Sequence, residues 1–215
     1  MSKGAQVINI SQDTDVPLSE DSELAKAVKR AVDAKVVVVA SAGNDGLSGE
    51  KRRTFPAAFP GVLAVAASDR NNERAPFSQP GDFIAVAAPG VDMVSTVPGF
   101  GQCVDNGTSF SAPYVAGVAA LLRAQHPDWT PEQIVWQIQG TAERSVKGRD
   151  DYVGWGVVDP VRAVTQDREP LEEARPGPRA APGGRPCSRR RCTSPRPRRN
   201  ARNGSVRTLS GSEPS

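Results

Sequence analysis

Two rhythms of apolar residues alternate along the first part of the chain. Residues 5–10 and 36–40 are short β-branched runs, the pattern of buried strands, and the near-continuous second run predicts a strand covered on both faces. Between them Leu24, Val28, Ala31 and Val32 recur at helical spacing and predict a helix with one apolar face. Ser19 stands where it can cap that helix, with Glu20, Asp21 and Glu23 in the first turn and Lys29 and Arg30 towards the end, charges that suit the helix dipole. Strand, helix, strand in this order predicts a right-handed crossover and a parallel sheet.

Further strands are predicted at 62–66 and 83–87, each bounded by Gly or Pro. A long apolar helix follows from about 109 to 124. The next helix has a sharp start: Thr130 and Gln133 form a capping box, Pro131 suits the first helical position and Trp129 can staple onto Ile134. Gly140 is read as its stop, and residues 154–160 as a turn and short strand before a last helical turn. The pattern predicts an α/β fold with a mainly parallel sheet flanked by helices.

Charge divides the chain in two. Residues 1–165 carry 15 Lys/Arg against 19 Asp/Glu, whereas residues 166–215 carry 12 Arg against 5 acidic residues. The expected organisation is therefore one folded domain, 1–165, and an Arg/Pro-rich tail, 166–215, with too little apolar surface to offset the entropy of ordering. Three readings fit the tail: a solvated linker, an arm for phosphate-bearing surfaces, or an out-of-frame reading of GC-rich DNA. The acidic balance of the folded part argues against nucleic acid as a partner. No apolar run reaches the ~18 residues of a membrane span, and the N-terminus has no apolar stretch of a secretion signal. Cys103, Cys187 and Cys192 form no disulfide framework, and Cys187 and Cys192 among arginines make a poor metal site, so neither a metal nor a cofactor is expected.

Chemistry concentrates in Gly107-Thr108-Ser109-Phe110-Ser111-Ala112-Pro113. This puts the Ser109 hydroxyl at the mouth of the long helix, where N–H groups lack intrahelical partners and the dipole favours a developing oxyanion. The serine is equally suited to cap the helix, and the two roles are compatible. Upstream, residues 36–40 run into Ser41-Ala42-Gly43-Asn44, a strand closing on a side-chain amide donor; Asn44 is also a residue that suits a turn. A nucleophilic serine needs a base within about 3 Å. The one histidine, His126, lies 17 positions on, and at about 1.5 Å of helical rise per residue it is on the order of 20 Å or more away.

These two segments, with Phe55-Pro56-Ala57-Ala58-Phe59-Pro60-Gly61-Val62, Ala87-Ala88-Pro89-Gly90 and Gly154-Trp155-Gly156-Val157-Val158-Asp159-Pro160, resemble the subtilisin-like serine proteases, or subtilases. The likeness is greatest to the actinobacterial mycosins, subtilases attached to type VII secretion systems. It implies peptide-bond hydrolysis through an acyl-enzyme, with Ser109 as nucleophile and its own N–H and Asn44 stabilising the oxyanion. It also implies that an extended peptide or protein substrate lies as an added strand beside Ser11-Gln12-Asp13 and Ser41-Ala42-Gly43, and that Pro56 occupies a position often cis in the family. Many subtilases have Ser-Leu-Gly where this chain has Ser11-Gln12-Asp13, and the aspartate is expected to narrow the cleft or favour a basic substrate side chain.

In subtilases the catalytic aspartate and histidine precede the serine. The expectation is thus the C-terminal two-thirds of a subtilisin-like domain, inactive as an isolated chain, with an envelope or secreted location and secretion-system partners implied by the family. The competing readings are a non-catalytic pseudoprotease that binds extended peptides or a secretion partner, and a gene fragment without function.

Overall fold

The structure is a computed structural model that describes residues 4–97, 101–144 and 148–166. A four-stranded, wholly parallel sheet forms its centre: β1 (Val7–Ile10), β2 (Val37–Ser41), β3 (Val62–Ser68) and β4 (Val86–Pro89), paired in chain order. Period-two alternation sorts β2 onto two faces. Val37 and Val39 join Leu63, Val65, Val86 and Ala88 in the larger core, beneath α2 (Thr108–Gln125) and α3 (Pro131–Thr141). Val38 meets Ala31 of α1 (Glu23–Asp33) on the other face, and Ala40 meets Ala57 and Ala64 there. A short α4 (Pro160–Thr165), capped by Asp159, closes the larger core with Ala163. The predicted α/β architecture, a mainly parallel sheet between helices, is the observed one.

Several boundaries differ from the sequence reading. Ser22 caps α1, accepting from the Ala25 N–H at 3.2 Å, while Ser19 lies in the turn before it. The fourth strand starts at Val86, because the preceding residues turn, with the Ile84 N–H bonded to Gly81 O. Gly140 does not stop α3, which runs to Thr141 with Gly140 buried in its last turn. The capping box of Thr130 and Gln133 is present as predicted. The Phe55–Pro56 peptide is cis.

The hydrophobic pattern gave no sign of a two-stranded antiparallel sheet, β5 (Met93–Val97) with β6 (Gly101–Asp105). Every residue of β6 is exposed, so no buried face imprints an alternation on its sequence. Of the expected tail, 166–215, Gln166 closes α4, and residues 167–215, with Cys187 and Cys192, lie outside the described residues.

Candidate active site

The N-terminus of α2 arrives at the C-terminal ends of the parallel strands, the usual place for a ligand crevice in such sheets. Gly107 is its N-cap residue, so Ser109 sits in the first turn and is not the cap. Two polar ties fix this turn. The Gly107 N–H donates to Gly90 O at 2.8 Å. The Ser111 hydroxyl is buried and donates to Ala88 O at 3.0 Å. Gly90 must be glycine for this approach: a methyl there would lie 2.4 Å from Ser111 Oγ and 2.9 Å from Gly107 O.

Asn44 follows β2 across the cleft. Its Oδ1 accepts from the Thr108 N–H at 2.9 Å and from the Thr108 hydroxyl at 3.0 Å. A backbone N–H can only donate, so this bond fixes the amide orientation and turns Nδ2 away from Thr108. A methyl built on Gly107 would stand 3.7 Å from Asn44 Nδ2 and 3.7 Å from the Ser109 nitrogen. Two N–H donors therefore border one space. Thr108, quoted in the motif but given no task from sequence, is the hub: its Oγ1 also accepts from the Gly43 N–H at 3.2 Å.

The residues read as flanking a substrate fall into two kinds. Ala42 and Gly43 have both their N–H groups engaged within the fold, with Val65 O and Thr108 Oγ1, and Ala42 O accepts from Thr54 Oγ1 at 2.7 Å. They and Ser41 are buried, and the Ser41 hydroxyl has no hydrogen-bond partner among the described residues. This segment offers a wall, not a strand edge. Among the described residues no hydrogen bond engages the main chain of Gln12 or Asp13, which are exposed. Ser11 is tied to Ser109 twice: its hydroxyl donates to Ser109 O at 2.9 Å, and Ser109 Oγ donates to Ser11 O at 3.3 Å.

Asp13 reaches across from this loop, its Oδ2 2.9 Å from a methyl built on Gly43. Partial burial pushes its carboxyl above the usual carboxylate range, and the neighbouring charges of Asp45 and Asp15 add to the rise. His126 caps the far end of α2, where its ring stacks on Trp129 at 3.8 Å and 6°. It cannot meet Ser109 across the 18 residues of the helix.

Comparison with known proteins places the chain in a family. The model of the Subtilase family matches residues 1–156. The chain belongs to the subtilase family. It is 40% identical over 149 residues to subtilisin amylosacchariticus of Bacillus subtilis subsp. amylosacchariticus, covering 69% of this chain and 38% of that protein. Among solved structures it resembles MycP1 with its N-terminal propeptide removed, at TM-score 0.70 and 34% identity over 80% of this chain and 65% of the other. It also resembles MycP1 from the ESX-1 type VII secretion system, at TM-score 0.69 and 36% identity over 80% of this chain and 54% of the other. This subtilase chain thus spans less than half the length of that subtilisin. No helix among the described residues is long and apolar enough to cross a membrane.

Proposed function

We propose that this subtilase chain carries the nucleophile and oxyanion side of a mycosin-like serine endopeptidase. Ser109 Oγ attacks the scissile carbonyl, the new C–O bond forms, and the carbonyl electron pair moves to an oxyanion held by Asn44 Nδ2 and the Ser109 N–H. Collapse breaks the C–N bond and expels the amine, which takes the proton that left Ser109 Oγ, and leaves an acyl-enzyme that water hydrolyses to the acid and a free Ser109 hydroxyl. The observation that carries this reading is the fixed Asn44 amide: its oxygen is held by Thr108, so its donor side borders the same space as the Ser109 nitrogen. Each such donor typically contributes about 2.7–4 kcal/mol to the transition state.

The 215 residues include a single histidine, His126, at the wrong end of α2. We assign Ser109 in the isolated chain an ordinary hydroxyl, with residual catalysis of about 10³–10⁴ over water at most. The substrate is an extended peptide or protein running along Ser11, Gln12 and Asp13, with Ser41, Ala42 and Gly43 as a wall and Asp13 favouring a basic side chain. By likeness to the MycP1 proteins the setting is the cell envelope or its exterior, with secretion-system components as partners.

A fluorophosphonate probe tests the assignment. The chain alone should label slowly; completed by an Asp- and His-bearing segment from a mycosin, it should label quickly at Ser109, and Ser109→Ala should abolish labelling. Rapid labelling of the isolated chain would refute the assignment of an ordinary hydroxyl to Ser109. Absence of labelling in the completed protein would favour a peptide-binding pseudoprotease, the reading supported by the Ser109 hydroxyl resting on Ser11 O.

A further inference from the structure

An α-helical carbonyl is normally met by the N–H four residues on. For Ser109 that residue is Pro113, inside α2, which has no N–H to give. The Ser109 carbonyl is thereby left without its helical donor, in the turn that carries the Ser109 hydroxyl. A donor comes from elsewhere: Ser11 Oγ, 98 positions earlier, at 2.9 Å. Its direction is also set. Asn9 Nδ2 donates to Ser11 Oγ at 3.0 Å, using an acceptor site of that oxygen, so the single hydroxyl proton goes to Ser109 O. The strand period arranges this. Val7 packs into the core under α2, whereas Ile8 and Ile10 pack on the α1 side, so Asn9 shares the α2 face with Val7 and Ser11 follows beyond the strand.

We infer that Ser11 is a positioning residue for Ser109, replacing through its side chain the helical bond that Pro113 removes. The inference rests on the reading of Ser109 as nucleophile and gives Ser11 a task separate from lining the substrate path. Ser11 and Pro113 are complementary: a chain with an N–H at 113 has no need of the hydroxyl at 11. The return bond from Ser109 Oγ to Ser11 O, at 3.3 Å, makes the tie two-sided, so the reactive residue is held at its carbonyl and its hydroxyl by one partner. Such a tie limits how far the hydroxyl drifts from its two N–H neighbours, and displacements of about 1 Å at reacting groups can cost 10²-fold in rate.

A double-mutant cycle on the full chain tests this, using Ser11→Ala, Pro113→Ala, the double variant, and ¹³C-carbonyl serine at position 109. Ser11→Ala should shift the Ser109 carbonyl resonance upfield and slow fluorophosphonate labelling of Ser109 about tenfold. In the double variant the new N–H at 113 should return both towards the values of Pro113→Ala alone, and Ser11→Thr, which keeps a hydroxyl, should keep the Ser109 carbonyl resonance near the parent's. An unmoved carbonyl resonance in Ser11→Ala, or no recovery in the double variant, overturns the inference. If Ser11→Ala does not fold, recovery of folding in the double variant supports the inference and failure to recover overturns it. Should Ser109 resist the probe in every variant even when each is completed by the Asp- and His-bearing segment, the nucleophile reading falls, while the carbonyl resonance still decides whether Ser11 holds Ser109.

Discussion

The two ends of α2 are both tied down by polar side chains, but the ties serve opposite ends. At its C-terminus the buried Arg123 donates to Trp129 O and to Lys35 O, and His126 covers Trp129. These donors are spent inside the fold. At the N-terminus Asn44 and Ser11 bond to the first turn and Ser111 within it bonds to Ala88 O, while the Asn44 amide nitrogen and the Ser109 nitrogen border one space. The difference teaches how one rigid element serves as an anchor at one end and a candidate site at the other: the terminal guanidinium nitrogens of Arg123 are turned onto carbonyls of the fold, whereas the Asn44 oxygen is engaged by Thr108 and leaves its amide nitrogen beside the Ser109 nitrogen.

The largest effect that separates the ends is expected at Asn44. In the completed enzyme Asn44→Ala should lower kcat/KM by about 10²–10³. Asn44→Asp keeps the oxygen that accepts from Thr108 but lacks the amide donor, so it should lose a similar factor while its urea midpoint stays near that of the parent. Equal loss of folding in both variants would make Asn44 an anchor like Arg123 and erase the contrast. Gly90→Ala comes next. Its methyl would press on Ser111 Oγ and on Ala67 Cβ, 2.7 Å away, and overpacking of this kind costs about 1–3 kcal/mol, to be read from urea denaturation.

His126→Ala sharpens the comparison from the other end. Loss of the stack on Trp129 should cost about 0.5–1.5 kcal/mol and leave Ser109 labelling unchanged; slower labelling would contradict the separation of the two ends. The smallest effect is a pH dependence at Asp13. Its folded pKa is raised, chiefly by burial, above the ordinary value of about 3.9. The folded state then binds a proton more tightly than the unfolded state, so this contribution to stability is full below the unfolded pKa and is lost as pH rises through the folded one. Asp13→Asn should flatten that part of the stability profile in urea titrations repeated across acid pH.

Much of this was legible beforehand because burial and chemistry leave marks on sequence. The run at 36–40 is apolar at every position since β2 is covered on both faces, and Thr130-Pro131 announces α3 through local hydrogen bonds alone. The motifs single out Ser109 and Asn44, whose nitrogens border one space. They do not single out Thr108 as hub, because its three bonds, to Gly43 and Asn44, join residues 64 to 65 positions apart in the chain. The sequence presents Ser11 only as a lining residue; the signal for its bond to Ser109 O is Pro113 in the helix, which leaves that carbonyl in need of a donor. The burial of Ala42 and Gly43 depends on Thr54 and Thr108, which no local pattern around them indicates.

The bonds that build the cleft join residues 64, 65 and 98 positions apart, whereas the helices close on themselves within a few residues. Contacts of such span require most of the chain to be gathered before they repay the entropy of closing the loop. Helical circular dichroism should therefore rise early during refolding and reactivity of Ser109 should lag behind it, which makes the probe a clock for the last step of assembly.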